Sequence, residues 1–504
     1  MKNMRAWLRI AVLLLALSMT LCVFAACANT GSTGSTEDQE GNGSSVPPAT
    51  TEDLYDENGK LKDKLPEDLD FDRTFKILAV SGQKNHFYAT EEDTDNVKRA
   101  VYQRNLTVED RLGVEFEWDL QPGQANNKEI NAFIQKAETD YQANGEYDCV
   151  ISYNLVPYTL ANRGLLVNLA DTEYIDLTGP WWPSVFMDRL LYKNQIFALV
   201  NSCGYGTLTN MTAIYFNNDL IEAKNLRSPY ELVASNEWHA ATLKELIRDT
   251  YEDLNADGKQ DANDLYGLCT STNARLTCWY YGFGCRLTEV TGDGKLELTA
   301  NSPRLATAID TIVDLFSTQD SLLVDSPSQY TMFMEERAIF YLSTLTISTK
   351  MVQNGLEIDY GVAPIPKLDA EQDQYYTHVP NTHEAWFILG SAKDEDCSSA
   401  FVECMASEAY RQVNDVFFET NLKLRYAPDE RLADMYDLVR DSITFDFLYV
   451  YKRILNEDCD NYIRKCIDSP ASNSWTTTWA SIGATVTSDF QKILDTYDLR
   501  DALS

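Results

Sequence analysis

A run of acidic and amide side chains in the middle of the chain has the spacing of a calcium-binding loop. In a twelve-residue EF-type loop, positions 1, 3, 5, 9 and 12 supply side-chain oxygens, position 7 supplies a carbonyl, and position 6 is glycine. The corresponding residues here are Asp253, Asn255, Asp257, Asp261 and Asp264, with the carbonyl of Lys259 at position 7 and Gly258 at position 6. Because Ca²⁺ prefers carboxylate and amide oxygens, we predict one structural Ca²⁺ ion held by these residues.

The loop departs from the usual pattern at its last position. Asp264 stands where a glutamate usually supplies two oxygens, so the shorter side chain supplies one oxygen or leaves room for a water. No second loop of this kind follows in the sequence, which argues against a paired calcium sensor. The alternative interpretation is an acidic surface turn. The expected role of the ion is to brace a loop rather than to take part in catalysis.

Catalytic signatures are absent from the sequence. It contains no GxSxG, no HExxH and no phosphate-binding loop, and the His383-Glu384 pair lacks a second histidine four residues on. No cluster of cysteine and histidine indicates zinc, and the chain has only 4 histidines. A glycosidase needs only two carboxylates that are close in space, which leave no mark in a sequence. We therefore predict a binding protein that is not an enzyme, and keep a glycosidase as an alternative.

The N-terminus has the pattern of an export signal. Basic residues precede a mostly apolar run over 10–26, which is typical of a secretory signal peptide. The run ends in FAAC, and the small residues before Cys27 resemble a bacterial lipobox, in which leucine usually stands where Phe24 is. We predict that Cys27 is lipidated and anchors the chain to a membrane through two or more acyl chains. An ordinary cleaved signal and an uncleaved anchor are the alternatives.

The composition of the rest of the chain suits an exported protein and argues against binding of nucleic acid. Residues 27–70 are mostly Gly, Ser, Thr, Asp, Glu and Pro; such a segment buries little apolar area and is predicted to be a disordered tether. The chain has 77 acidic and 42 basic residues and a formal net charge of −35. Such a body repels phosphate backbones, so we expect no nucleic-acid partner.

Strand and helix patterns alternate after the tether, which predicts an α/β fold. Strand patterns at 75–80, 114–118 and 148–152 alternate with amphipathic helix patterns over 95–112 and 130–137. This order indicates a parallel sheet covered by helices. Ligands of such sheets bind at the carboxyl ends of the strands, here near 81–83 and 152–154.

A second α/β unit is predicted over about 205–325. It contains a strand at 213–216, a hairpin over 289–298 and a helix that begins at Pro303, and the pattern is mainly helical from 398 onward. Two cysteine pairs spaced by seven residues in helical stretches, Cys397/Cys404 and Cys459/Cys466, are too far apart to form disulfides. Cys278 and Cys285 are close enough in sequence to pair across a turn, and most of these cysteines are expected to be buried apolar residues.

Several stretches in a fixed order resemble the extracellular solute-binding proteins of bacterial carbohydrate ABC importers, the family that includes maltodextrin-binding protein. The stretches are AVYQRN at 100–105, VEDRL at 108–112, YDCVI at 147–151, RGLL at 163–166, YIDL at 174–177, PWW at 180–182, AIYFNNDL at 213–220, AIFY at 338–341, DYGV at 359–362, PIPK at 364–367 and NSW at 473–475. The resemblance runs from about residue 73 to 500. Each stretch is weak alone, and their order together with the lipobox is specific.

The resemblance implies a two-lobe α/β fold of the periplasmic-binding-protein type, with a hinge and a ligand cleft between the lobes. The expected segments are a signal peptide at 1–26, the lipidated Cys27 and tether at 27–70, an N-lobe at 71–200 with a return at 381–425, a C-lobe with the calcium-type loop at 201–380, and a helical C-terminal part at 426–504. The implied partners are a carbohydrate ligand and the permease subunits of an ABC transporter, and the expected oligomeric state is a monomer.

The family pattern also implies cleft positions. These are Tyr153 and Asn154 after the third strand, Asn210 before the 213–216 strand, Trp279 and Tyr280, Ser343 and Thr344, and Trp475 in the C-terminal part. Sugar sites need aromatic platforms and dense hydrogen-bonding groups. For each Trp and Tyr, packing in the core is the alternative. Some members of the family have a Trp in the 343–344 segment, so its absence here argues against maltodextrin itself as the ligand.

A calcium-braced surface adhesin is the third class of function, after a binding protein and a glycosidase. An adhesin predicts internal repeats, and the sequence has none. A cleft with converging aromatic side chains would favour binding. A pair of carboxylates about 5–10 Å apart beside those aromatics would favour hydrolysis.

Overall fold

The structure is a computed structural model that describes residues 54–501 except 124–125, 144, 201–203, 273, 354–357, 426–429 and 471–473. Residues Tyr55–Ser504 form one compact unit. The predicted signal peptide, the predicted lipidation site at Cys27 and the tether up to residue 53 lie outside the described residues.

The described chain contains fourteen strands, most of them short and buried. In chain order they are β1 (Arg73–Val80), β2 (Val114–Gln121), β3 (Cys149–Tyr153), β4 (Leu199–Val200), β5 (Thr212–Asn217), β6 (Tyr266–Ser271), β7 (Thr288–Val290), β8 (Leu296–Leu298), β9 (Ser321–Val324), β10 (Ala338–Thr344), β11 (Tyr360–Ala363), β12 (Thr377–His378), β13 (Glu384–Phe387) and β14 (Ile443–Thr444).

Helices cover both faces of the sheets. In chain order they are α1 (Asn96–Leu112), α2 (Asn127–Gln142), α3 (Leu155–Asn162), α4 (Ser184–Leu190), α5 (Gly206–Asn210), α6 (Asn218–Ala223), α7 (Pro229–Ala234), α8 (Ala240–Ile247), α9 (Cys278–Gly282), α10 (Pro303–Phe316), α11 (Ser326–Met334), α12 (Thr346–Gln353), α13 (Glu395–Gln412), α14 (Glu430–Asp441), α15 (Phe447–Val450), α16 (Cys459–Asp468) and α17 (Trp475–Asp501). Short 3₁₀ helices occupy Ser81–His86, Leu169–Asp171 and Ala274–Thr277, and a π-helix occupies Val416–Arg425.

The first sheet has the strand order β2-β1-β3-β13-β4. Strands β1, β2 and β3 are parallel, as the alternating sequence pattern predicts, and their carboxyl ends lie at one edge. Strand β13 is antiparallel to β3 and β4, and with it the chain returns to this sheet after it has built the second one. Phe75 in β1 packs on Phe401 in α13 with ring centroids 4.2 Å apart, so this helix closes one face of the sheet.

The second sheet has the strand order β11-β5-β10-β6-β9. Strands β10, β6 and β9 are parallel, whereas β5 is antiparallel to both β10 and β11. All the residues of β5, β6, β10 and β11 are buried, which is typical of strands covered on both faces. The chain therefore builds two mixed sheets; residues 204–211 belong to the first crossing between them, and residues 364–383 form the second.

The local patterns of the sequence identify most of these elements. The strand pattern at 75–80 corresponds to Arg73–Val80, the helix pattern over 95–112 to Asn96–Leu112, and the hairpin over 289–298 to β7 and β8. Helix α10 begins at Pro303, with Ser302 as the N-cap that accepts a hydrogen bond from the N–H of Leu305. Proline at the first turn and a serine cap are the residues that such a helix start requires.

The predicted disordered tether is too long at its C-terminal end. The Asp63 carboxylate is fully buried and forms ion pairs with Arg111 at 2.8 Å and with Arg411 at 3.2 Å. Leu65 is also buried, with 7% of its surface exposed. The polar composition of the segment does not indicate this contact, because the partners of Asp63 are two arginines on α1 and α13, far away in the sequence. Residues 60–65 therefore belong to the folded unit rather than to the tether.

Eight cysteines lie among the described residues, and all eight are free thiols buried in the interior. They include Cys278 and Cys285, for which a disulfide across a turn was an open alternative. No helix of the described residues combines the length and the apolar character that crossing a membrane requires.

Candidate functional site

A cavity of about 800 Å³ opens at the carboxyl edge of the first sheet. One wall consists of the start of α2, which follows β2, and of Leu155, which follows β3. Pro380, Asn381 and Thr382, from the second crossing between the sheets, form its base. The opposite wall is built by residues of the segment 449–465, which runs from α15 into α16. We call this segment the C-terminal wall.

Amides connect the base of the cavity to the first sheet. The side-chain amide of Asn154 donates to Oδ1 of Asn381 at 3.0 Å, and the amide of Asn381 donates to the carbonyl of Tyr449 at 3.0 Å. The backbone N–H of Asn154 donates to the carbonyl of His383 at 3.0 Å. Asn154 therefore does not line the cavity, but it fixes Asn381, which does.

Asn210 reaches the same base from the first crossing. The Thr382 hydroxyl donates to Oδ1 of Asn210 at 2.8 Å, while the Asn210 amide donates to the carbonyl of Gly206 at 2.8 Å. Gln83, which follows β1, donates to the carbonyl of Thr382. The structure therefore brings two residues predicted from the sequence, Asn154 and Asn210, together around residues 381–382.

The C-terminal wall carries most of the charge in the cavity. Lys452, Arg453, Arg464 and Lys465 line it together with Glu457 and Asp458. Arg453 extends across the opening: its two terminal nitrogens donate to Oδ1 of Asn127 at 2.9 Å and to Oδ1 of Asn131 at 2.7 Å. Because both asparagines belong to α2, Arg453 is a direct bridge between the two walls of the cavity.

A buried carboxylate supports this wall from behind. Asp460, 1% exposed, accepts hydrogen bonds from the Tyr280 hydroxyl at 2.8 Å and from Nζ of Lys452 at 3.2 Å. Burial alone would lower the pKa of Lys452, but the neighbouring Tyr449 and Asp460 outweigh burial and raise it. Lys452 is therefore held as a cation. Tyr280 contributes to the site only through Asp460, because its own side chain is fully buried.

Asp458 caps the helix that forms the C-terminal wall. Its Oδ1 accepts the backbone N–H of Asp460 at 3.0 Å, at the start of α16. Burial, followed by the nearby Asp460 charge, raises the pKa of Asp458 to about 6. The Glu457 carboxylate accepts a hydrogen bond from the Tyr462 hydroxyl at 2.6 Å. Both acidic groups of the wall are thus already engaged with the protein.

The remaining predicted cleft residues do not line this cavity. Trp279 is fully buried, donates its indole N–H to the Thr270 hydroxyl at 3.3 Å and packs on Phe316. Trp475 is 2% exposed and donates to the carbonyl of Ala300 at 2.9 Å. Both tryptophans are core residues rather than exposed platforms, because each has apolar neighbours and a satisfied indole N–H.

Three further predicted positions lie at strand ends and do not line the cavity. Tyr153 ends β3 with 7% of its surface exposed. Ser343 and Thr344 end β10 and are 0% and 4% exposed. Ser343 pairs with Ala213 in β5, and its hydroxyl is buried without a hydrogen-bond partner among the described residues.

Side-chain oxygens of the predicted calcium loop accept hydrogen bonds from the backbone of the loop itself. The N–H of Gly258 donates to Oδ2 of Asp253 at 3.0 Å, and that of Asp257 donates to Oδ1 of Asn255 at 3.0 Å. The N–H of Lys259 donates to Oδ1 of Asp257 at 2.8 Å. Gly258 has a φ of 74°, in the left-handed region that glycine adopts without strain.

The last loop position is also anchored from inside. Asp264 is fully buried, and its Oδ2 accepts the Tyr251 hydroxyl at 3.1 Å. Burial, followed by the bond to Asp264, raises the pKa of Tyr251 to about 12. Oδ1 of Asp253 is buried and has no hydrogen-bond partner among the described residues. Within the described residues, no three His, Cys, Asp or Glu side chains converge closely enough to hold a metal ion as they stand.

Sequence reasoning missed the C-terminal wall. The segment from Tyr449 to Lys465 shows only a helical pattern in the sequence, and the cavity depends on how it packs against α2. One signal was present: three aromatic residues, four cations and two asparagines occur within seventeen residues. Such a mixture is typical of surfaces that bind small polar molecules.

Comparison with known proteins supports the fold. No protein-family model matches the sequence, and no curated protein matches it. Solved structures do match: the chain has the two-lobe α/β fold of the sugar-binding and solute-binding proteins of ABC importers. The sequence-based prediction of the fold class is therefore confirmed.

Three structures illustrate the similarity. The sugar-binding protein MalE of Xanthomonas citri has a TM-score of 0.53 at 12% identity, over 85% of this chain and 98% of that one. An ABC substrate-binding protein of Listeria monocytogenes in complex with cycloalternan has a TM-score of 0.52 at 12% identity, over 84% and 99%. The GacH receptor of Streptomyces glaucescens, solved unliganded and in complex with acarbose and an acarbose homologue, has a TM-score of 0.51 at 14% identity, over 84% and 99%.

Proposed function

We propose that this protein is an extracytoplasmic solute-binding protein that captures a sugar or an oligosaccharide and delivers it to the permease of an ABC transporter. The observation that carries the proposal is the cavity of about 800 Å³ between the carboxyl edge of the first sheet and the C-terminal wall. Its volume lies within the range of about 300–1,000 Å³ that is typical of ligand sites. The fold supports the proposal, since the similar structures include proteins in complex with cycloalternan and with acarbose.

The side chains of the cavity match the surface of a sugar. Five asparagines line it: Asn127, Asn131, Asn381, Asn456 and Asn461. Each amide is both a donor and an acceptor, as is each sugar hydroxyl, so either partner can supply the proton. Tyr462, which is partly exposed, adds an aromatic ring that can pack on the apolar C–H face of a sugar ring. The proposed role is binding without catalysis.

Closure around the ligand would use contacts that already join the walls. Arg453 contacts Asn127 and Asn131 across the opening, so a small movement of the C-terminal wall toward α2 alters the width of the cavity. Such closure presents a defined surface to a permease only when ligand is bound, because the ligand shifts the population toward the closed state.

Membrane attachment and calcium belong to the same proposal. Lipidation of Cys27 would hold the binding unit at the outer face of the cell membrane, next to the permease, and the unit would act as a monomer. A Ca²⁺ ion would bind Asp253, Asn255, Asp257, Asp261, Asp264 and the carbonyl of Lys259. The unpartnered, buried Oδ1 of Asp253 fits this assignment, because a cation would supply the partner that the protein does not.

A thermal-shift screen over mono- and oligosaccharides tests the proposal. A ligand that binds only the folded state raises the melting temperature by mass action, so we expect at least one glycan to do so. A parallel assay for release of reducing ends from the same glycans tests the glycosidase alternative. Hydrolysis, without a shift by any glycan, would contradict the proposed binding function.

A further inference from the structure

The positive charge of the C-terminal wall stands out against the acidic chain that carries it. The formal net charge of the protein is −35, yet four cations and two carboxylates line this one cavity. Lys452 is paired with Asp460 at 3.2 Å, whereas Arg453, Arg464 and Lys465 form no ion pair with a described residue. Three cations that form no ion pair with a described residue are therefore concentrated in this cavity.

These three cations contact neutral side chains, and some of their N–H donors have no acceptor among the described residues. Arg464 donates to Oδ1 of Asn461 on its own helix, and Nζ of Lys465 lies 4.4 Å from the centre of the Tyr462 ring. Among the described residues, Arg453 donates only to Asn127 and Asn131. The Nε atoms of Arg453 and Arg464 are buried and have no hydrogen-bond partner among the described residues. A buried guanidinium N–H without a partner lowers stability unless an acceptor binds it.

The two carboxylates that line the cavity accept hydrogen bonds from other groups of the protein. Asp458 is turned to the N–H of Asp460 as the cap of α16, and Glu457 accepts from Tyr462. Neither carboxylate forms an ion pair with Arg453, Arg464 or Lys465. The guanidinium plane binds carboxylate and sulfate through two parallel hydrogen bonds, which a neutral hydroxyl cannot match.

We infer that the solute is an anionic oligosaccharide, carrying carboxylate or sulfate groups that bind Arg453, Arg464 and Lys465. The asparagines of the same cavity bind the hydroxyls, and Tyr462 binds a ring face. This inference rests on the proposed function and adds the class of its ligand. It also accounts for capture by a protein of strongly negative net charge, since a local positive surface is needed to admit an anion.

Calorimetric titration of the purified full-length protein tests the inference. The probes are uronate oligosaccharides, the same oligosaccharides with their carboxylates methyl-esterified, sulfated disaccharides, and neutral gluco-, manno- and xylo-oligosaccharides. We expect a uronate or a sulfated glycan to bind, its uncharged counterpart to bind at least about tenfold more weakly, and high salt to weaken the charged ligand only. The uronate and sulfate arms identify which anion is bound.

Single substitutions locate the anion within the cavity. Arg464→Gln and Lys465→Gln should each weaken binding of the charged glycan by about tenfold, with little effect on melting temperature. Arg248→Gln is the matched control: it removes one exposed positive charge away from the cavity and should leave affinity unchanged. Equal losses in all three variants would indicate only long-range attraction and would overturn the inference.

Different results would contradict the anionic ligand and the sugar-binding function. Binding of a neutral glycan that neither Arg464→Gln nor Lys465→Gln affects would overturn the anionic ligand and leave the sugar-binding function in place. Absence of binding by every glycan, charged and neutral, would overturn both.

Discussion

The surroundings of the Trp475 side chain distinguish a role in the core from a role in ligand binding. It begins α17, is 2% exposed, donates its indole N–H to Ala300 and packs against Trp479 with ring centroids 5.8 Å apart. A stacking residue would instead present one face of its ring to a cavity. The position in sequence does not distinguish these roles, because both use an aromatic residue at the start of a helix.

Truncation of Trp475 should therefore affect folding rather than binding. Trp475→Ala removes a large buried side chain and leaves a hydrogen-bond acceptor unpaired, so we expect a loss of about 3–5 kcal/mol in the free energy of unfolding. Denaturant unfolding measures this loss, and titration of the remaining folded protein measures affinity. Normal stability with much weaker glycan binding would return Trp475 to the ligand site.

Glu403 is a buried acid whose titration should be visible in stability. It is 1% exposed on α13, one oxygen accepts the N–H of Asp176 at 3.3 Å, and the other is buried without a partner among the described residues. Burial raises its pKa to about 8. A glutamate in the unfolded chain has a pKa of about 4.3. The folded state thus holds this proton more tightly, and its contribution to stability is full below about pH 4.3 and is lost as pH rises through about 8.

Glu403→Gln should remove that loss. A neutral amide of the same shape does not have to ionise, so the melting temperature of the variant should exceed that of the wild type at pH 8 and should approach it at pH 5. Thermal unfolding across this pH range is the measurement. Glu297→Gln, an exposed glutamate in β8, is the control and should follow the wild-type profile. A fall in melting temperature at pH 8 would show that Glu403 is needed in its charged form.

At the scale of elements, the loop over 253–264 is ordered by its own backbone. Its carboxylates accept N–H groups within the loop, and Asp264 is held by Tyr251.

Calcium should stabilise this arrangement, because the ion offsets repulsion among four aspartates. We expect Ca²⁺ to raise the melting temperature relative to a chelator, and Asp257→Ala to abolish the difference. Asp293→Ala, in the exposed turn of the β7–β8 hairpin, should preserve it. Identical melting curves with Ca²⁺ and with chelator would refute the assignment.

The helices and strands could be predicted from the sequence more fully than the contacts between them. The strand at Arg73–Val80 and the helix at Asn96–Leu112 follow from local apolar spacing, which each segment carries in itself. The cavity depends on non-local contacts: Arg453 and Asn127 are more than 300 positions apart and meet only in the folded chain. Asn154 and Asn210 were predicted near the site because the family resemblance implies ligand contacts after the third strand and before the 213–216 strand, whereas the resemblance implies nothing about the cationic wall.

For the whole molecule, we expect the bridge formed by Arg453 to set the balance between open and closed cavities. Its two hydrogen bonds to α2 are exposed to solvent, so together they are worth about 1 kcal/mol. Arg453→Ala should widen the unliganded cavity and weaken glycan binding by about fivefold, with the release rate rising more than the capture rate falls. Small-angle scattering and stopped-flow binding measure these effects.

Two further variants define the contribution of the bridge. Asn131→Ala removes one of its two hydrogen bonds and should give an intermediate effect. Arg227→Ala, an exposed arginine paired with Glu237, should change neither the dimensions nor the kinetics. An unchanged scattering profile and unchanged affinity in Arg453→Ala would show that the two walls are positioned by other contacts.

The burial of the thiols has a consequence for the oxidation of this protein. Burial raises the pKa of Cys149, Cys269 and Cys404 well above the usual value, and thiolate is the form that oxidants and electrophiles attack. In the folded unit these sulfurs are thus both inaccessible and protonated. Their modification would require the core to open first, so the rate of thiol loss would follow the rate of unfolding, and oxidative damage would fall mainly on molecules that had already lost their fold.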